Sequence, residues 1–199
     1  MEKIILASAS PRRSEILKNV GLRFEVVVSD ADESSISPEI GAELYVQELA
    51  LLKAAAAAKR LENTTDEIVI SADTVVVSEG NILGKPTDKD EAIRMLESLS
   101  GREHSVITGI CVFRLKDGFS VCDSVTTKVK FKNLSREVID LYVSTKESMD
   151  KAGAYGIQGK GALLCEKIDG DYFNVVGLPV SRLSDILRDE FCIEILKNN

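Results

Sequence analysis

Glu67-Ile-Val-Ile-Ser-Ala-Asp-Thr-Val-Val-Val77 is a near-continuous β-branched run in which Asp73 is the one charge after Glu67. It lacks the polar alternation of a strand with one wet side, so it reads as a strand covered on both faces, the central strand of its sheet. Glu79, Gly80 and Asn81 then supply hairpin-turn chemistry. Upstream, Lys3 to Ala7 reads as a first strand, and Ser10 caps a helix with Pro11 at its first position, an apolar face at Ile16, Leu17 and Val20, and a stop at Gly21. Phe24 to Val28 is a second strand, Ser29 to Pro38 an acidic, serine-rich loop, Ala42 to Leu61 a long helix, and Asn63 to Asp66 a turn. Downstream, Thr87 with Asp90 opens a helix that stops at Gly101. Strands at Ser105 to Leu115 and Phe119 to Phe131 flank a turn at Asp117 and Gly118, and Ser135 to Thr145 is a helix. Two short strands surround Asp169, Gly170 and Asp171, and a last helix starts near Pro179.

A chain of 199 residues can bury a real core as one large domain or two tightly joined lobes. Its 44% hydrophobic and 29% charged residues are those of an ordinary globular protein. A net charge of −7 argues against broad binding to a nucleic-acid polymer or an anionic membrane, although a local basic cleft is compatible with it. The apolar run before Ser8 is too short for a signal peptide or a membrane span, so the expectation is a cytoplasmic protein. Cys111, Cys122, Cys165 and Cys192 form no CxxC pair and read as reduced core thiols. His104 is the single histidine, which removes multi-histidine metal centres. Chemistry, if present, falls to carboxylates, lysines and arginines.

Several of those charges sit where they cost something. Arg12 and Arg13 occupy the first turn of a helix, whose amino terminus already carries partial positive charge and free N–H groups. They are either an anion site or two solvated arginines. Lys53 has Leu49, Ala50, Ala56 and Ala57 as helical neighbours, so its stem lies on an apolar stripe and its ammonium either snorkels to an edge or meets an anion. Asp73, inside the apolar strand, needs a cation, a metal or several hydrogen bonds, and a structural ion pair would also satisfy it. Lys85 stands between Gly84 and Pro86 in a rigid turn. Gly153, Gly156, Gly159 and Gly161 surround Tyr155, Gln158 and Lys160 and fit either a close backbone approach to a ligand or an irregular loop. Gly159-Lys-Gly161 is not a P-loop, no dinucleotide fingerprint follows the first strand, and Asp169 and Asp171 read as turn residues.

Ala7-Ser-Ala-Ser-Pro-Arg-Arg-Ser-Glu-Ile-Leu17 resembles the opening signature of the Maf family. Ser71-Ala-Asp-Thr-Val75, Gly84-Lys-Pro86, Leu99-Ser-Gly-Arg102, Asp150-Lys-Ala-Gly-Ala-Tyr-Gly-Ile-Gln-Gly159 and Val176-Gly-Leu-Pro179 follow in family order over nearly the whole chain. The resemblance implies an α/β fold with an elongated, mixed, twisted sheet flanked by helices, and two lobes around a deep cleft, similar to inosine-triphosphate pyrophosphatases. It implies hydrolysis of nucleoside triphosphates between the α and β phosphates. Ser8, Arg12, Arg13, Lys53 and Lys85 match phosphate-binding positions, and Asp73 matches the proton acceptor. Glu33 and Asp73 match carboxylates that hold a divalent metal cation, Mg, Mn or Co. Arg12, Thr74 and Gln158 match positions of base selection, and Tyr155-Gly-Ile-Gln158 is similar to the branch acting on dTTP and UTP. A homodimer is also implied. The alternatives are a pyrophosphatase of modified or other nucleotides, and a non-catalytic nucleotide-binding regulator of cell division.

Overall fold

A computed structural model describes residues 3–61 and 67–197, and the expected turn at Asn63 to Asp66 lies outside them. In chain order the strands are β1 Lys3–Leu6, β2 Glu25–Val26, β3 Glu67–Ser78, β4 Asn81–Leu83, β5 Glu103–Arg114, β6 Ser120–Phe131 and β7 Cys165–Asp169. The helices are α1 Pro11–Asn19, α2 Ala42–Lys59, α3 Lys89–Leu99, α4 Arg136–Ser144, α5 Tyr172–Val176 and α6 Val180–Phe191. The strands form a seven-stranded sheet in the order β2-β1-β3-β5-β6-β7, with β4 on β3. β1 runs parallel to β2 and β3, whereas β4 is antiparallel to β3 and β7 to β6, so the sheet is mixed and the fold α/β with flanking helices, as the resemblance implies. β3 is an interior strand, and every residue from Glu67 to Ala72 is buried. Its hairpin to β4 turns at Glu79 (φ 51°) and Gly80 (φ 80°), the pair of positive φ values that matches strand twist.

The described residues fall into two compact units. One comprises the described parts of Met1–Asp73, Thr108–Val125 and Gly177–Asn199. In its core Ile5, Ala7 and Val69 of the β1–β3 region pack with Cys111 and with Ala50, Ala54 and Ala57 of α2. The small residues of α2 let its backbone come close to the sheet, and at Gly109 a methyl group would overlap the Val46 carbonyl. The other unit comprises Thr74–Ile107 and Thr126–Val176. Its core joins Leu96 and Leu99 of α3 with Ile139, Tyr142 and Val143 of α4, and with Val129 and Phe131 of β6.

The structure departs from the sequence reading in several places. α3 is capped by Asp88 rather than Thr87: Asp88 Oδ1 accepts from the Glu91 amide at 2.7 Å, and Glu91 Oε2 accepts from the Thr87 amide at 2.7 Å. Asp88 stands three residues before Glu91, the spacing a capping box needs. Among the described residues no strand follows Asp169. Asp171 Oδ1 accepts from the Phe173 amide at 2.7 Å and starts α5, and buried Asn174 donates to the Val106 carbonyl at 3.0 Å and to Thr127 Oγ1 at 2.9 Å. The second strand shrinks to Glu25–Val26, and the Ser29 to Pro38 loop holds a 3-10 turn at Glu33–Ser35, with another beginning at Pro38. All four cysteines are free, but only Cys111 is fully buried, and Cys192 is exposed at the end of α6. Among the described residues no helix is long and apolar enough to cross a membrane.

Candidate active site

At the start of α1 the costly arginines part ways. Arg13 lies half-buried and uses its guanidinium on the chain itself: Nε donates to the Gly177 carbonyl at 2.8 Å, and Nη1 to the Ala72 carbonyl at 2.8 Å and to Ser8 Oγ at 3.2 Å. Burial pulls its pKa below the ordinary arginine value, with the Asp73 charge opposing that and Arg12 reinforcing it. Arg13 therefore ties the β1–α1 turn to the peptide group directly before Asp73. Ser8 is buried, and its oxygen accepts from both the Ser10 amide at 3.1 Å and Arg13. With both lone pairs taken, that hydroxyl can serve a ligand only as a donor, the role a phosphate oxygen requires. Arg12, the next residue upstream, is also half-buried. Ser10 occupies the cap position without a side-chain cap bond, and the first turn contains no acidic residue to compete with an anion.

Lys53 meets carboxylates. Its stem crosses the apolar stripe of α2, and its ammonium lies 2.5 Å from Asp73 Oδ1 and 3.1 Å from Glu33 Oε1. Lys53 and Asp73 keep only 15% and 14% of their side-chain surface, against 55% for Glu33, so Lys53–Asp73 is the sheltered pair and Glu33 its wet flank. The local reason is register. Ser71 donates to the Ala50 carbonyl at 2.6 Å and ties β3 to α2. Asp73 lies two residues further on the same strand face, and Lys53 three residues further along the helix. Glu33 is held by its 3-10 turn, where Asp32 Oδ1 accepts from the Ser34 amide at 3.1 Å and its hydroxyl at 2.6 Å. Of the candidates for balancing Asp73, the structure supplies a cation, Lys53. Tyr45, about two turns upstream of Lys53 on α2, escaped the sequence reading although helical spacing places it near that side. Burial raises its phenol pKa, and the charges of Asp73 and Glu33 raise it further.

The described residues contain no group of three or more His, Cys, Asp or Glu side chains able to hold a metal ion. A small hard cation, however, commonly takes one or two carboxylates and completes its shell with water and substrate phosphates. Asp73 and Glu33 are such a pair, and their oxygens already converge on one positive charge.

The remaining candidates belong to the other unit. Lys85 is exposed between Gly84, whose carbonyl accepts from the Gly153 amide at 3.0 Å, and the buried Pro86, so its backbone is fixed while its ammonium reaches solvent. Thr74 is half-buried on β3. Gln158 is half-buried before the 3-10 turn Gly159–Leu163, and its side chain makes no hydrogen bond among the described residues.

Comparison with known proteins gives the chain's family. A protein of Acetivibrio thermocellus named dTTP/UTP pyrophosphatase is 54% identical, covering 99% of this chain and 99% of its own. One of the same name from Clostridioides difficile is 52% identical over 96% of this chain and 97% of its own. A HAM1 protein structure from Coxiella burnetii shares 19% identity at a TM-score of 0.46 over 67% of this chain and 75% of its own, too distant a likeness to bear on activity. The family model described as Maf-like protein matches residues 3–190, which include every candidate residue above, and the chain belongs to that family.

Proposed function

We propose that this protein is a cytoplasmic nucleoside-triphosphate pyrophosphatase that hydrolyses dTTP and UTP to the monophosphate and pyrophosphate. The observation that carries the reading is Asp73, a sheltered carboxylate in an apolar strand, paired with Lys53 beside Glu33 in a chain whose full-length relatives bear that enzyme's name. Lys53, Lys85 and Arg12 are assigned to offsetting the triphosphate charge and the charge that develops on the pyrophosphate leaving group. Ser8 donates to a phosphate oxygen. Arg13 acts one step back: it holds the Ala72 carbonyl and so the aim of Asp73. Asp73 accepts the proton of the water that attacks the α phosphorus in line. Asp73 and Glu33 fit a divalent cation of the magnesium, manganese or cobalt kind, which when bound supplies charge neutralisation and a more acidic water. Arg12, Thr74 and Gln158 are assigned to the base; the Gln158 amide offers both a donor and an acceptor, as a pyrimidine edge demands.

Pyrophosphate release measured over all common and several modified nucleoside triphosphates, with each of the three metals, tests this. The expected outcome is fastest turnover of dTTP and UTP, with equimolar monophosphate and pyrophosphate. Release of orthophosphate, or a purine preference, would overturn it.

A further inference from the structure

Nothing in that chemistry uses His104, yet it is the chain's single histidine and one of its most buried polar groups, 3% exposed on β5. Its Nε2 shares a 2.7 Å hydrogen bond with the Tyr155 hydroxyl. Both rings stand edge-on to Phe131 of β6, at centroid distances of 4.9 Å for His104 and 4.6 Å for Tyr155. His104 Nδ1 is buried without a partner among the described residues. A buried polar pair with an orphaned nitrogen is more costly than apolar rings of the same shape, so stability alone does not account for it.

The bond anchors one particular stretch of backbone. Gly153 at φ 65° sits so tightly on Val76 that a Cβ there would come within 2.9 Å of it, and Ala154 follows at φ 61°, an uncommon conformation for a residue with a side chain. The Gly156 amide donates to the Tyr142 hydroxyl at 3.3 Å, and the Lys160 amide to Glu147 Oε2 at 3.1 Å. The run 153–160 is thus fastened on both sides of Gln158, while the Gln158 amide stays without a hydrogen bond among the described residues. Tyr155 is its buried aromatic anchor, and the Tyr155 hydroxyl is held by His104.

We propose that His104 is a positioning residue for base selection: through Tyr155 it fixes the backbone that presents Gln158 to the pyrimidine. The proposal rests on the reading of Gln158 as the base-contacting residue. Burial keeps the His104 ring neutral at neutral pH, so what it contributes there is a directed hydrogen bond rather than a charge.

Tyr155→Phe removes the hydroxyl and leaves the ring against Phe131. Two readouts are taken beside the parent and Gln158→Ala: amide hydrogen exchange of residues 156–160, and the ratio of kcat/KM for UTP to that for CTP. One hydrogen bond lost from a buried anchor should speed exchange there, and lower the UTP/CTP ratio, by roughly 3–10-fold, mostly through KM for UTP. His104→Gln, which can still bond the Tyr155 hydroxyl, should retain more of the ratio than His104→Phe. Parent-like exchange in Tyr155→Phe, or faster exchange with an unchanged ratio, overturns the proposal. A parent that turns over no pyrimidine triphosphate overturns the functional reading and this proposal with it. An unaltered ratio in Gln158→Ala removes the role of Gln158. With a discriminating parent and a relaxed Gln158→Ala, either of those two Tyr155→Phe outcomes rejects the role of His104 and leaves that of Gln158 standing.

Discussion

Acidification reads the state of His104 directly. Burial lowers its pKa from 6.5 to about 4, with the nearby Glu103 charge only partly opposing the shift. Above pH 6.5 the ring is neutral in both the folded and the unfolded chain, and the folded state keeps its full advantage. As the pH falls below that, the unfolded chain takes up the proton first, so folding stability drops until the folded ring titrates as well, near pH 4. The gap corresponds to about 3 kcal/mol, with no discount for solvent screening because the side chain is almost wholly enclosed. Because the chain has one histidine, its ring Cε1 proton gives an unambiguous NMR signal. Urea unfolding of the parent and of His104→Gln between pH 4 and 7.5 measures the linked loss, since the carboxylates common to both proteins subtract out. The parent should lose about 3 kcal/mol more than the variant over that interval. A folded-state titration midpoint near 6.5, or parallel stability curves, would refute the reasoning.

Asp73→Asn keeps the size of the side chain but removes the charge, so pyrophosphate release should fall by roughly two orders of magnitude or more while calorimetry still detects nucleotide binding; parent-like turnover would make Asp73 purely structural. Arg13→Ala strips donors from the Ala72 and Gly177 carbonyls and from Ser8, and should lower stability by about 2–4 kcal/mol along with turnover. Lost turnover with an unchanged urea midpoint would instead identify Arg13 as a phosphate ligand alone. Gly109→Ala forces a methyl group into the Val46 carbonyl in the second turn of α2, and should cost about 2–4 kcal/mol in urea unfolding; an unchanged midpoint would show that α2 can shift aside.

The start of α1, the covered strand β3, the Glu79–Gly80 hairpin and the helix beginning at Ser135 were legible because each follows from residues a few positions apart. Apolar periodicity, a cap three residues from its target and a glycine at positive φ act within one turn of chain. Where two such local signals compete, sequence is a weaker guide. Thr87 and Asp88 both precede α3, and the carboxylate took the cap. The stretch after Asp169 holds β-forming Tyr172, Phe173, Val175 and Val176, yet buried Asn174 and the Asp171 cap turn it into α5. That outcome depends on Val106 and Thr127, dozens of residues away.

The candidate site divides along the same line. Its charged residue types were visible as anomalies: two arginines at a helix amino terminus, a lysine on an apolar stripe and a carboxylate in a covered strand. Their partners were not. Arg13 bonds carbonyls 59 and 164 residues distant, and a carbonyl at Ala72 or Gly177 carries no mark in the sequence, because every residue has one. His104 and Gly109 were likewise silent, a lone histidine and an ordinary strand glycine until Tyr155 and Val46 arrive beside them. The sequence alone determined the periods, caps and turns, and which charges would be expensive to bury, since those depend on side-chain chemistry and near neighbours. Only the tertiary structure decided what each expensive charge meets, because a hydrogen bond or ion pair forms within about 3 Å, and packing alone brings distant parts of the chain that close.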